Sequence, residues 1–192
     1  MKKYIIISTV FLSLFCIKAQ TLSLSSPIEK ISNGVYLKDM DNTLPLFTGT
    51  WIANFEGKQI TLYLNKIERF STKLKGISNI DYYSDVLFMK YMIKDSSGNQ
   101  IISTANKTVN DMNIITSLTA SPLPDRKIGF IYSGEECGIG RGLIFLTYID
   151  STHIKWEYNS TGGIIDPTQC TNYSPNIKSY IPRTLDLTFT KQ

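Results

Sequence analysis

The densest group of residues that could do chemistry is the glycine-rich run 135–142. It carries two adjacent carboxylates, Glu135 and Glu136, and one arginine, Arg141. These charges could together bind a cation or a polar ligand. A glycosidase-type mechanism would need two acids about 5–10 Å apart across a cleft, which neighbours in one loop do not ensure. The sequence favours the simpler interpretation, a strained hairpin whose glycines allow positive φ angles.

Other candidate catalytic groups are few. The chain has one histidine, His153, which alternates with apolar residues in a predicted strand and is therefore expected on the polar face. As a general base it would need a nucleophile and an orienting acid close by. A hydrolase would instead use acids such as Glu135 or Asp166. Neither Cys137 nor Cys170 has a second cysteine or a histidine at metal-ligand spacing, so we predict no metal site and no cofactor.

Cys137 and Cys170 are also the two cysteines that remain if the first nineteen residues are removed. In an oxidising compartment such a pair is most simply a disulfide. The bond would close a loop of about 34 residues and stabilise the fold by roughly 3–4 kcal/mol. It would also fasten the long segment 160–182 to the loop at 134–142. Two separate buried thiols are the alternative.

Residues 1–19 have the layout of a cleaved signal peptide. A basic start is followed by an apolar run over residues 4–15 and by Ala19 just before Gln20, which we take as the mature N-terminus. The apolar run is too short for a membrane helix of about 20 residues. Lipid attachment at Cys16 is disfavoured because a bulky phenylalanine precedes it. We therefore expect export to the periplasm or the extracellular space, with no transmembrane segment after cleavage.

Size and charge limit the function classes. Removing residues 1–19 from the 192-residue chain leaves 173 residues, which suits one domain. The formal net charge falls from +4 to about +1, because the leader contains three lysines and no acid. This charge gives no argument for a nucleic acid or an anionic membrane as the partner. The sequence identifies no protein partner.

From about residue 46, apolar residues alternate with polar ones, the pattern of strands with one buried face. Short turns such as Glu56-Gly57 join them, which indicates an antiparallel meander. We expect an irregular arm over residues 20–45 and one all-β domain over residues 46–192. About 8–10 strands predict a lipocalin-like (calycin-type) barrel, with a β-sandwich as the alternative. Nine strands are predicted, at 49–56, 58–69, 84–94, 99–105, 112–120, 126–134, 142–150, 152–159 and 183–190.

The residues Gly49-Thr50-Trp51, at the head of this meander, resemble the Gly-x-Trp start of lipocalin-type barrels. In those barrels the tryptophan closes the floor, and a basic side chain near the end of the last strand commonly packs over its ring. Antiparallel closure between the first and last strands would place Lys191 on Trp51, where a cation–π contact favours it. A core tryptophan in any β-sandwich is the alternative.

The layout also resembles a group of uncharacterised secreted proteins from Bacteroidota. The shared features are a leader that ends at Ala19-Gln20, the strand from Phe47 to Trp51, and a final strand that ends at Lys191. The resemblance implies export and the same fold. It implies no activity.

The leading functional hypothesis is a non-catalytic protein that binds one small apolar ligand inside the barrel. The first alternative is an envelope-associated or secreted interaction protein whose barrel is filled by its own side chains. It would contact partners through the loops at 134–142 and 160–182. A hydrolase is the third hypothesis. The inward-facing candidates for the cavity wall are Leu62, Leu87, Met89, Phe130 and Trp156.

Overall fold

The computed structural model describes residues 20–74, 79–121, 125–162, 168, 170 and 179–192. The predicted leader with Cys16 lies outside these residues, as do Asp166 and most of the segment 160–182. Within the described ranges no helix is long and apolar enough to cross a membrane. The helical elements there are short 3-10 turns at Ile28–Lys30, Leu44–Phe47 and Glu136–Gly138. The strands are β1 (Thr21–Ser23), β2 (Tyr36–Lys38), β3 (Gly49–Phe55), β4 (Lys58–Leu74), β5 (Ile80–Lys94), β6 (Gln100–Ser103), β7 (Ile115–Ser121), β8 (Lys127–Tyr132), β9 (Gly142–Asp150), β10 (His153–Ser160) and β11 (Leu187–Lys191).

Eight of these strands close into an antiparallel barrel. They pair in the order β3-β4-β5-β7-β8-β9-β10-β11, and the ring is completed where Lys191 of β11 pairs with Trp51 of β3. The turn between β3 and β4 has φ angles of 47° at Glu56 and 72° at Gly57, as a two-residue hairpin of type I′ requires. The predicted all-β barrel is confirmed, and its closure excludes the β-sandwich.

The inward faces of the strands fill the interior of the barrel. Both tryptophan rings are buried there, and each indole N–H has a partner. Trp51 Nε1 donates to the carbonyl oxygen of Phe47 at 2.7 Å, and Trp156 Nε1 donates to that of Pro182 at 3.0 Å. Neither donor therefore incurs the cost of an unpaired buried N–H. The largest fully buried side chains are Trp51, Trp156, Phe47, Phe130 and Phe189.

The arm at residues 20–45, predicted to be irregular, contains two strands that join the sheet. β1 pairs in parallel with β2, and β2 pairs in parallel with β5. The carboxylate of Asp85 in β5 accepts hydrogen bonds from the Tyr36 hydroxyl at 2.5 Å and from the Asp39 N–H at 3.1 Å. A three-residue strand is too short to show a period of two, so the alternation that revealed the barrel strands gave no signal here.

Four barrel strands differ from their predicted bounds by three residues or more at one end; β5 begins at Ile80 and β7 at Ile115. β4 continues well beyond residue 69, because a bulge between Ile67 and Phe70 resets the alternation of its side chains. β11 begins at Leu187, four residues after its predicted start, and Leu185 just before it is 61% exposed. The chain bends before this ladder begins, where the Asp186 N–H donates to the hydroxyl oxygen of Thr184 at 3.2 Å.

Candidate functional site

The Gly-x-Trp motif lies where β3 meets β11. Lys191 Nζ is 5.0 Å from the centroid of the Trp51 ring, a cation–π distance. Gly49 has a φ of 127°, and a Cβ at this position would stand 2.8 Å from Lys191 Cε. The glycine therefore leaves room for the lysine stem above the indole. This contact joins the two ends of the barrel sheet, and we assign no chemistry to it.

The five residues predicted to line an interior cavity are all buried. Leu62, Leu87, Phe130 and Trp156 belong to the packed core and are each at most 1% exposed. Met89 also contacts this core, and it is the one member of the set that lines the cavity described next. The candidate site therefore lies beside the aromatic core and not within it.

A partly open cavity of about 210 Å³ lies between β5, β6, the start of β7 and the loop at 134–142. Its volume is below the roughly 300–1,000 Å³ of pockets for drug-sized ligands, so it suits a smaller molecule. Part of the wall is apolar and part is a hydrogen-bonded polar cluster. The apolar part comprises Phe88, Met89, Ile102, Ile114 and Ile115. The other lining residues are Tyr91, Ser103, Thr104, Lys107, Asn113, Tyr132, Gly134 and Glu135.

The polar cluster is built on the carboxylate of Glu135. Its Oε1 atom accepts hydrogen bonds from the Tyr91 hydroxyl at 3.0 Å and from the Tyr132 hydroxyl at 2.5 Å. Burial, followed by the negative charge of Glu135, raises the pKa of Tyr91 well above its usual range. Burial, followed by the neighbouring Tyr91, raises the pKa of Tyr132 in the same direction. Both phenols therefore stay protonated and act as donors at neutral pH.

The backbone of the 134–142 loop fixes the position of Glu135. The Glu135 N–H donates to the carbonyl oxygen of Ile139 at 2.8 Å, and the Gly138 N–H donates to that of Glu135 at 2.9 Å. Cys137 takes a left-handed conformation with a φ of 59°. It forms a disulfide with Cys170, across a Cα–Cα distance of 5.6 Å. The bond ties this loop to the segment that follows β10.

The arginine of the same loop does not join Glu135 at the cavity. Arg141 lies against its own loop, where its guanidinium is 3.5 Å from the position that a Cβ on Gly138 would occupy. Arg141 does not line the cavity. The side chain of Glu136 lies outside the described part of the chain. Of the two predicted loop residues whose side chains the structure describes, Glu135 lines the cavity and Arg141 does not.

His153 lies away from this cavity, as the first residue of β10 after the turn from β9. Its Nδ1 atom is 3.0 Å from Oδ1 of Asp150. The hydroxyl and N–H of Thr152 lower the pKa of Asp150 to about 2, with His153 as a further contributor. Among the described residues, no three histidine, cysteine, aspartate or glutamate side chains lie close enough together to hold a metal ion. The imidazole is part of a polar turn.

Sequence reasoning did not single out Tyr91 and Tyr132 as site residues. Both occupy inward positions of their strands, where a tyrosine looks like an ordinary core aromatic. A usable signal exists, because a buried tyrosine hydroxyl needs a hydrogen-bond partner. Glu135 follows Tyr132 by three residues and is a nearby acceptor in the chain. The place of Tyr91 in the cluster depends on barrel closure.

The chain has no significant match among curated proteins or among solved structures. A family model described as "Family of unknown function (DUF6705)" matches residues 1–192. The match covers the whole sequence, so the chain belongs to the DUF6705 family, whose function is unknown.

Proposed function

We propose that this chain is a secreted, non-catalytic binding protein of lipocalin-like architecture and that its ligand is a small molecule with an apolar body. The supporting observation is the cavity of about 210 Å³, in which apolar side chains stand beside the Tyr91–Glu135–Tyr132 cluster. Apolar walls with a few convergent polar groups are typical of ligand sites. We place the ligand there because large aromatic side chains occupy the core of the barrel.

Export is part of the same proposal. Residues 1–19 would be removed as a signal peptide, leaving the arm at 20–45 and a single barrel domain at 46–192. The disulfide between Cys137 and Cys170 supports an oxidising compartment, the periplasm or the extracellular space. β1 begins at Thr21, so cleavage before Gln20 would leave every described strand intact.

Native mass spectrometry of the exported chain tests the binding proposal. The wild-type protein is expected to carry a small molecule, which Ser103→Trp should remove because residue 103 lines the cavity. Ser97→Trp places the same bulky ring in the exposed turn before β6 and should leave the ligand bound. Circular dichroism checks that both variants fold. If the wild-type protein shows neither a bound mass nor binding of any apolar fragment in NMR, the proposal is wrong.

A second candidate is a protein-interaction module with a filled barrel. The observation that favours it is an exposed apolar pair next to the 134–142 loop, Ile131 at 46% and Leu143 at 37% exposure. These residues are directly opposite one another in β8 and β9. If the pair docks a second copy, light scattering should show concentration-dependent dimers that Ile131→Lys abolishes. A monomer at every concentration would remove that form of the hypothesis.

The hydrolase hypothesis has less support from the site. Glu135 is the one carboxylate among the described residues of the cavity wall. A two-acid mechanism needs a second carboxylate across the cleft, and Asp166, the other acid considered, lies outside the described residues. Glu135→Gln should abolish turnover in any hydrolase assay that the protein supports, and an unchanged rate would exclude Glu135 as its acid.

A further inference from the structure

We propose that the polar end of the ligand is a cationic amine, held as an ammonium group by the free carboxylate oxygen of Glu135 with the oxygens of Tyr91 and Tyr132 beside it. This inference rests on the proposed function, since it concerns the same cavity. It goes further because it assigns the charge and the hydrogen-bonding character of the ligand.

The hydrogen bonds within the cluster determine what it can offer to a ligand. A tyrosine hydroxyl has one hydrogen to donate. Tyr91 and Tyr132 both direct that hydrogen at Oε1 of Glu135. Each phenol oxygen is therefore left with acceptor capacity alone. A carboxylate is itself an acceptor without a donor, so all three side chains of the cluster can accept from a ligand and none can donate to it.

Two further donors on the cavity wall, the Thr104 hydroxyl and the Lys107 ammonium, are engaged by backbone carbonyl oxygens. The Thr104 hydroxyl donates to the carbonyl oxygen of Tyr91 at 3.2 Å while accepting its N–H at 2.8 Å. Lys107 Nζ donates to the carbonyl oxygens of Met112 at 3.0 Å and Asn113 at 3.4 Å. The lysine is thus held along its own loop. Glu135, Tyr91 and Tyr132 therefore present acceptors side by side, which favours a ligand group that donates several hydrogen bonds.

The charge of Glu135 points to a cation. Across the described residues, no lysine, arginine or histidine nitrogen comes within 4.0 Å of its carboxylate. In the same part of the chain, no side chain donates to Oε2. A half-buried carboxylate without a counter-charge gains most from a partner that brings both a positive charge and N–H donors. A ligand carboxylate would be repelled, and an alcohol would offer one donor without a charge.

Isothermal titration calorimetry of the full exported chain with three matched probes tests the inference. The probes are 2-phenylethylamine, 2-phenylethanol and phenylacetate, which share an apolar body and differ at the polar end. We expect the amine to bind about tenfold or more tightly than the alcohol, and phenylacetate to show no binding. Glu135→Gln keeps an oxygen for the two tyrosine donors but removes the charge, and should bring amine and alcohol to within about threefold.

Glu68→Gln is the matched control, because Glu68 is exposed on β4 and does not line the cavity. It should retain the full preference for the amine. Thermal unfolding of both variants verifies that each is folded. Equal affinity of the wild-type chain for amine and alcohol would overturn the inference, as would a preference that survives Glu135→Gln. If none of the three probes binds while native mass spectrometry shows a bound small molecule, the inference fails and the proposed function stands; if native mass spectrometry and fragment binding in NMR are also negative, both fail.

Discussion

Asp85 provides a sharp test of how the N-terminal arm is held to the barrel. Its side chain is fully buried, at 0% exposure. Oδ1 accepts from the Tyr36 hydroxyl at 2.5 Å and the Arg69 N–H at 3.1 Å, and Oδ2 accepts from the Asp39 N–H at 3.1 Å. Lys66 Nζ lies 3.8 Å from Oδ2. One carboxylate therefore joins the arm, the bulge of β4 and β5.

Asp85→Asn keeps the shape of the side chain but places an amide NH₂ where Oδ2 stood. The Asp39 N–H and the Lys66 ammonium would then face a donor instead of an acceptor. Losing one hydrogen bond to a charged group costs about 1.5–3 kcal/mol, and an unpaired buried donor adds to that loss. We expect the free energy of unfolding to fall by about 3 kcal/mol, or the melting temperature to fall by roughly 6–12 °C for a domain of this size.

Urea unfolding of the wild-type chain, Asp85→Asn and Asp186→Asn measures this difference. Asp186 makes an exposed pair with Lys155 at 3.4 Å, so its variant should change the unfolding free energy by less than about 0.5 kcal/mol. Tyr36→Phe removes one of the three donors and should give an intermediate loss of about 1.5–2 kcal/mol. If Asp85→Asn is as stable as the Asp186→Asn control, the arm is not held by this carboxylate.

Three further predictions concern the rest of the fold. Gly49→Ala should lower the unfolding free energy in urea by about 1–3 kcal/mol, because the alanine would be held at a φ of 127° and its Cβ would displace the end of the Lys191 side chain, which lies 2.8 Å away at Cε; a change below about 0.5 kcal/mol would refute this. Replacing Cys137 and Cys170 with serine should cost roughly 3–4 kcal/mol, and thiol labelling of the denatured, unreduced wild-type protein after removal of residues 1–19 should find no free sulfhydryl. Burial raises the pKa of Asp85, but hydrogen bonds from Tyr36 and two backbone N–H groups outweigh it and leave the pKa below its usual value. The charged Asp85 carboxylate therefore stabilises the fold above its pKa in the unfolded chain, about 3.9, and this stabilisation is lost as the pH falls through its pKa in the folded chain. Lowering the pH should accordingly destabilise Asp85→Asn less than the wild-type chain.

Period-two alternation was sufficient to predict the barrel strands, because each side of a barrel wall faces a different environment. The pairing of Lys191 with Trp51 follows from the same logic, since the first and last strands of a closed meander must meet. Alternation fails where the chain leaves regular geometry. The bulge at Arg69, with a φ of 53°, conceals the second half of β4. The parallel pairing of β2 with β5 is accompanied by hydrogen bonds from the arm to the buried Asp85, and no short-range pattern encodes that contact.

The candidate site could be predicted only in part, for a related reason. Glu135 was visible as an acid in a glycine-rich loop next to a cysteine. Tyr91 is 44 positions away from it, and a hydroxyl at an inward strand position does not reveal which end of the barrel it will face. The partner of a buried polar atom is set by tertiary closure, whereas its need for a partner can be read from the residue type alone.

An eight-stranded barrel has an interior that its own side chains can fill or that can hold one small ligand. The number of strands does not determine whether the interior is filled or holds a ligand; the volume of the inward-facing side chains does. Here Trp51, Trp156 and Phe130 occupy the core, which moves the available space to the rim, beside the loop that carries Glu135. Cys137 lies two residues after Glu135, so its disulfide with Cys170 restrains the loop at which a ligand would be held. Binding specificity in this fold should therefore depend on the rim loop, while changes to the core should alter stability first.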